Sequence, residues 1–366
     1  MKPSADQAYE AFWARLSPAY PVSRGSLRLP IATKLTSLPN FVHKEIQEEL
    51  KAILQKLLDT HGTKQSAETR AKNAGEDFIT PLITDEYTGI VRFDCIWEPA
   101  TGSVKILEIN CDYPDGLLLH DSTYSVLTST ETNLHHNLFL ELLNEAESVY
   151  VLHNEHAFFV DSYHAEHNKL IHHGKESFIG YDVTEIPQNA TVRRCLETSK
   201  LTPKQVERLK NNNHRYINTL ALRTLGYKDL LATINHSFVP KTIKLTSESV
   251  PEVTSRQSQI VLKPADGCEG YGIYFGHQIT PLEWESLTYS LLQKNYIAQE
   301  LVEIPKRAVD LYDKNTVITK ELYFDLCPHF FVKNGTVLGS GHTLTRYSEK
   351  QIVNVSQGGG IGYYAL

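Results

Sequence analysis

The sequence predicts a mixed α/β (α+β) fold built in several parts. Three observations carry this reading: apolar residues at helical spacing near the start, a pair of alternating strand patterns just after, and a strand-rich, glycine-punctuated second half. Ile46, Leu50, Ile53, Leu54, Leu57 and Leu58 recur with the period of one helix face, and Gly62 supplies a stop. Before them, Met1–Leu16 reads as an amphipathic helix capped by Ser4. Thr63–Asp77 is polar and reads as a loop. Gly89–Trp97 and Ser103–Asn110 alternate as strands, joined by Glu98-Pro99-Ala100-Thr101-Gly102.

Residues 126–200 change character. Leu138–Leu143 reads as helix, Ser148–Leu152 and Ala157–Asp161 as short buried strands, and a polar, His-rich helix follows, together a small α/β domain. Residues 201–366 read mostly as strands and hairpins: Gln259–Lys263, the glycine-rich Asp266–Gly272, Tyr296–Val302 and the Lys333-Asn334-Gly335 turn. Three parts are expected: 1–125, 126–200 and 201–366.

The 366 residues contain 41% hydrophobic and 22% charged residues, an ordinary globular composition that excludes a disordered or collagen-like chain. Lys+Arg 36 against Asp+Glu 43 gives a net charge of -7, the wrong sign for a protein devoted to nucleic acid. Five cysteines without CxxC spacing argue against a disulfide framework or structural zinc. No apolar leader or membrane span is expected, which points to a cytoplasmic protein.

Four segments carry chemistry. In the hairpin, a loop over Glu98–Gly102 sets Trp97 opposite Ser103, Arg92 opposite Glu108 and Asp94 opposite Ile106. Alternation then puts Val91, Phe93, Cys95, Trp97, Leu107 and Ile109 on one face and Arg92, Asp94, Glu108 and Asn110 on the other. The polar set reads in two ways. It is either a solvated face with an Arg92–Glu108 ion pair, or a cluster of hard oxygen ligands suited to Mg²⁺ beside a phosphoryl-binding arginine. A polar turn, Asn110–Gly116, ends the second strand at a plausible site mouth. Next, Lys263-Pro264 precedes Gly267, Gly270 and Gly272. A lysine at a strand end can meet phosphates, and a glycine loop lets backbone N–H groups approach them; the same residues also suit a structural hairpin turn. Gln299-Glu300-Leu301-Val302 can offer backbone groups to an adenine edge, or be a plain buried strand. Last comes Arg346, followed by Asn354, Ser356, Gly358 and Gly359.

In this order the segments resemble the circularly permuted ATP-grasp ligases, above all the synthetase domain of glutathionylspermidine synthetase, with eukaryotic-type glutathione synthetase similar in layout. Arg92-Phe93-Asp94 and Glu108-Ile109-Asn110 match the family's R-x-D and E-x-N strands, Lys263–Gly272 its K-P glycine loop, and Gln299–Val302 its hinge. Arg346 and Asn354–Gly359 match its late segment, and Val192-Arg193-Arg194 is similar to an exit strand of its small Rossmann-like domain. Glu269 stands where the glutathionylspermidine branch has a basic residue.

The resemblance implies ATP and Mg²⁺ as cofactors, a permuted ATP-grasp fold with a small inserted Rossmann-like domain, and amide formation from a small-molecule carboxylate and amine. It implies Asp94, Glu108 and Asn110 as metal ligands, Lys263 on the phosphates, Arg92 on the transferring phosphoryl group and Arg346 on the acyl end. A second phosphate lysine is expected near Leu209–Ile217, with Lys210 and Arg215 as candidates and Lys241 further on. A small-molecule kinase and a non-catalytic nucleotide-binding regulator are the alternatives, and a homodimer is a family-level expectation. The histidines His153, His156, His164, His167, His172 and His173 read as a His-rich surface helix.

Overall fold

The computed structural model describes residues 40–98, 101–114, 120–121, 124–125, 132–154, 160–198, 201–211, 214–267, 270–313, 316–353 and 360–363. The Ser4-capped helix, His156, Cys268, Glu269 and the late Asn354–Gly359 run lie outside the described residues.

The periodic helix forms as α1, Asn40–His61, and ends where the Gly62 N–H bonds to the Leu58 carbonyl at 2.7 Å. A Cβ on Gly62 would meet that carbonyl oxygen at 2.2 Å, so the chain needs glycine there. The stretch expected as a loop is instead largely helical. Helix α2, Lys64–Asn73, is capped by the Thr63 side chain. Its buried stripe is Ala67, Arg70 and Ala71. Two alanines and an arginine do not register as a hydrophobic period, yet Arg70 is buried because Thr224, Ser66 and the His61 carbonyl accept its N–H groups.

Strands β1 (Gly89–Glu98) and β2 (Ser103–Asn110) form the expected hairpin. After them come α3 (Leu134–Leu142) and a four-stranded parallel sheet. Its strands are β3 (Ser148–His153), β4 (Glu176–Gly180), β5 (Thr191–Cys195) and β6 (Arg215–Ile217), in the order β4-β3-β5-β6. Parallel neighbours need crossovers. Helices α4 (Val160–His172) and α5 (Pro203–Asn211) lie in the connections after β3 and β5. Val160 and Asp161, expected at the end of a strand, open α4, and β6 lies past residue 200.

A second sheet is antiparallel: β7 (Thr242–Lys244), β8 (Ile260–Pro264), β9 (Tyr274–Phe275) and β10 (Tyr296–Glu300), ordered β7-β10-β8-β9. Six more strands complete the largest sheet: β11 (Lys306–Asp313), β12 (Thr316–Cys327), β13 (His329–Lys333), β14 (Thr336–Ser340), β15 (Leu344–Ser348) and β16 (Gly360–Tyr363). Its path is β14-β13-β1-β12-β15-β16, with β2 on β1 and β11 on β12. Asn334 and Gly335 both have positive φ in the β13–β14 turn, as the Asn-Gly pair requires.

One face of this sheet is the main core. Val91, Phe93, Cys95, Trp97, Val104, Ile106 and Ile109 join Leu50, Leu54, Leu57 and Leu58 of α1 in one buried cluster. Each such side chain contributes on the order of 1.5–3 kcal/mol by leaving water. With the apolar side turned inward, the polar set of the hairpin is left on the opposite face.

Candidate active site

The hairpin register differs from the expectation by one residue next to the turn and by two beyond a bulge. Glu98, not Trp97, pairs with Ser103, while Arg92 lies opposite Asn110 and Asp94 opposite Glu108. A bulge between Asp94 and Cys95 sets Cys95 against Ile106, leaving Leu107 as the extra residue. Ile106 therefore joins the buried cluster, while Leu107 is only half-buried. A one-residue slip ordinarily turns side chains over. Here the bulge absorbs it, so Arg92, Asp94, Glu108 and Asn110 still share a face. The expected Arg92–Glu108 pairing is replaced by Arg92–Asp94.

Asp94 sits under two arginines. Arg92 donates through Nε to Oδ1 at 2.7 Å and through Nη2 to Oδ2 at 3.0 Å. Arg346 on β15 donates through Nη2 to Oδ2 at 2.8 Å. Burial alone would raise the Asp94 pKa, but Arg346 and Arg92 hold it well below the usual carboxylate range. Arg346 also donates to Asp325 of β12, its register partner, from Nε at 2.9 Å, from Nη2 at 2.5 Å and from the backbone N–H at 3.1 Å. Two guanidiniums and two carboxylates thus form a nearly buried neutral cluster.

The second sheet brings Lys263, and the 3₁₀ turn Lys228–Thr233 brings Lys228. Lys263 on β8 is buried and donates to the Gln299 Oε1 at 2.7 Å; Gln299 in turn donates to Thr242 Oγ1 at 3.1 Å. Burial pushes the Lys263 pKa down to about 8, with Glu108 pulling upward and Lys228 adding to the fall. Lys228 lies 3.3 Å from Glu108 Oε2 and also donates to the Gly267 carbonyl. The site is therefore a seam between two sheets, with the carboxylates and arginines on the large sheet and, opposite them, Lys263 of the second sheet with Lys228 of that turn. Asp94, Glu108 and Asn110 supply only oxygen donors, the ligand chemistry Mg²⁺ favours.

The glycine loop meets its own chain closely. A Cβ on Gly267 would lie 2.3 Å from Pro264 Cγ. Gly270 and Gly272 have φ of 77° and 71°, which disfavour other residues. At the hinge, the Glu300 N–H bonds to the Lys241 carbonyl and the Leu301 N–H to the Gln259 carbonyl. Val302 is the first hinge residue past those bonds. The Glu300 carboxylate accepts from Arg256 at 2.9 Å.

Lys210 is not gathered here. It is exposed in the last turn of α5, beside the parallel sheet. Arg215 pairs with Glu145 and Glu86 at the surface, and Lys241 pairs with Glu252. The lysine beside Glu108 is instead Lys228, which lies outside the expected Leu209–Ile217 segment. Its signal was a lysine within the apolar run Leu225–Leu231, where a charge has to find a partner. Asp325 was also missed. Its signal was a lone carboxylate inside the apolar stretch Leu322–Cys327. His329, the register partner of Arg92, belongs to a packed group of imidazoles: His120 lies 4.3 Å from His329 and 4.6 Å from His135, ring centre to ring centre. Among the described residues, no three His, Cys, Asp or Glu side chains converge as a metal site, so the expected ligand set depends on the Asn110 amide oxygen.

No family model matches the chain. It is 31% identical over 154 residues to uncharacterized proteins of Mycobacterium tuberculosis and Mycobacterium leprae. The match covers 40% of this chain and 26% of each relative, so the chain spans about a quarter of the length of the curated relatives it matches. Among solved structures, the glutathione synthetase-like effector of Globodera pallida, in its apo form, superposes with a TM-score of 0.61. The superposition covers 100% of this chain and 98% of the effector at 10% identity. Likeness at that level shows the fold alone: this chain shares the fold of that effector.

Proposed function

We propose that this protein is an ATP-dependent carboxylate–amine ligase of the permuted ATP-grasp type. The observation that carries the reading is the seam itself. Arg92, Asp94, Glu108 and Asn110 on one sheet face Lys228 and Lys263, two buried lysines of which Lys228 pairs with Glu108 and Lys263 with the Gln299 amide. Carboxylate and amide oxygens opposite paired lysines suit a nucleotide triphosphate carrying Mg²⁺.

In this reading Asp94, Glu108 and Asn110 hold Mg²⁺, which would neutralise charge on the nucleotide phosphates. Lys263 from the other sheet and Lys228 from its turn grip the phosphate oxygens, with Gly267, Gly270 and Gly272 letting the backbone approach them. The hinge at Gln299–Val302 receives the base. Arg92 lies against the transferring phosphoryl group, where positioning and charge neutralisation supply most of the rate enhancement. The γ-phosphoryl group passes to an oxygen of the acid substrate, and ADP leaves. The amine nitrogen then attacks the acyl carbon, the carbon–oxygen bond to phosphate breaks, and the amine gives up a proton. In this reading Arg346 holds the acyl end.

The test is product analysis with pooled acids and amines. The expected products are ADP, inorganic phosphate and an amide, with turnover lost in folded Glu108→Ala and Lys263→Ala. A stable phosphate ester in place of an amide would make the protein a kinase. Full turnover in either variant would remove the assigned roles.

A further inference from the structure

Arg346 has two partners where one would neutralise it. Asp325 accepts three of its N–H groups, including the backbone one, and Asp94 accepts from the same Nη2 atom. Asp325 is 4% exposed and lies on β12 directly across from Arg346, so its position is set by strand pairing. Asp94 is occupied by Arg92 as well. A cation arriving at Asp94 must compete with guanidiniums already in place.

We infer that Asp325 is a positioning residue that holds Arg346 as a bridge, so that Arg346 guards Asp94 before nucleotide binds and is freed toward the substrate when a metal ion takes Asp94. This rests on the ligase reading above. Asp325 keeps its hold on Arg346 through Nε and the backbone in both states, and only the Nη2 contact to Asp94 is exchanged. The bridge makes the metal and Arg346 alternatives at one carboxylate. It couples arrival of the metal-bound nucleotide to release of the arginine that the acid substrate needs.

The geometry makes two substitutions act in opposite directions. Asp325→Asn leaves Asp94 as the only anion bonded to Arg346, so the guard tightens and metal binds more weakly. Arg346→Gln removes the competing cation, so metal binds more tightly. A residue that merely supports the fold would give loss in both. The double variant Asp325→Asn/Arg346→Gln removes the buried charges as a pair, which avoids an unpaired carboxylate.

The experiment is Mn²⁺ titration of the nucleotide-free protein by electron paramagnetic resonance, repeated with a non-hydrolysable ATP analogue. Asp325→Asn should weaken Mn²⁺ binding about tenfold, and Arg346→Gln and the double variant should strengthen it about tenfold. Wild-type binding with both single variants weakened, or with neither changed, would overturn the bridge while leaving the ligase reading intact. No Mn²⁺ binding by folded wild type, with or without the analogue, would overturn both.

Discussion

Lys263 shows how one residue joins stability to chemistry. Burial lowers its pKa to about 8, so the free protein loses this positive charge near physiological pH. Phosphate binding favours the charged amine and raises that pKa again. Affinity for a non-hydrolysable ATP analogue should therefore be flat below about pH 7.5 and fall roughly tenfold per pH unit above 8, each unit being about 1.4 kcal/mol. Calorimetry across pH checks this, and Lys263→Met should bind weakly with a flat profile. A steep profile that survives in Lys263→Met would place the titration elsewhere. Asp112 works in the opposite sense. Burial would raise its pKa, but Arg194 and Arg223 hold it below the usual carboxylate range, and Thr198 donates to it at 3.0 Å. A depressed carboxylate stabilises above its unfolded pKa of about 4, and the contribution fades as pH falls toward the folded value. Asp112→Ala, which leaves buried Arg194 without its carboxylate while Arg223 keeps Glu76, should cost about 3–5 kcal/mol in urea denaturation. Loss of less than about 1 kcal/mol would show that the arginines find other partners.

At the scale of elements, the hairpin was legible and its bulge was not. Alternation over Val91–Trp97 separates polar from apolar residues whatever the exact pairing, so the polar face could be read from β1 alone. The bulge inserts one residue in β2, and a period of two cannot reveal where the count breaks. Helix α2 was hidden for a related reason: Ala67 and Ala71 bury a stripe too small to stand out among polar neighbours. The Asn-Gly turn was fully legible because only a few residues accept positive φ at two successive positions. The end of β2 also yields a prediction. A Cβ on Gly226 would lie 3.0 Å from the Ile109 carbonyl oxygen and 3.2 Å from the Cys111 nitrogen, flanking Asn110. Gly226→Ala should push that strand end and weaken Mg²⁺-dependent nucleotide affinity about tenfold, while thermal unfolding shows the protein folded. Unchanged affinity would mean that Asn110 does not depend on this contact.

At the scale of the molecule, the order of segments was readable, but the residues that complete the site were not. Lys228 reaches a carbonyl 39 residues away, and Asp325 meets Arg346 across 21 residues that include β13 and β14 on the far side of β1. No local pattern encodes such distances; they follow from which strands become neighbours. Lys210 was a candidate by its place in the order, yet it is exposed in the last turn of α5. The same long-range logic ties the parts together. Glu76 binds Arg223, Arg223 binds Asp112, and Asp112 binds Arg194 of β5, so buried charge links the N-terminal region, the hairpin exit and the parallel sheet. The central claim is that the seam between the two antiparallel sheets binds a nucleotide through Mg²⁺. The direct measurement is a calorimetric titration of a non-hydrolysable ATP analogue with and without Mg²⁺, using wild type, Glu108→Ala and Lys263→Ala. Binding that requires Mg²⁺ and weakens at least about tenfold in both variants is the predicted result. No binding to folded wild type, or binding indifferent to both substitutions, would contradict the account.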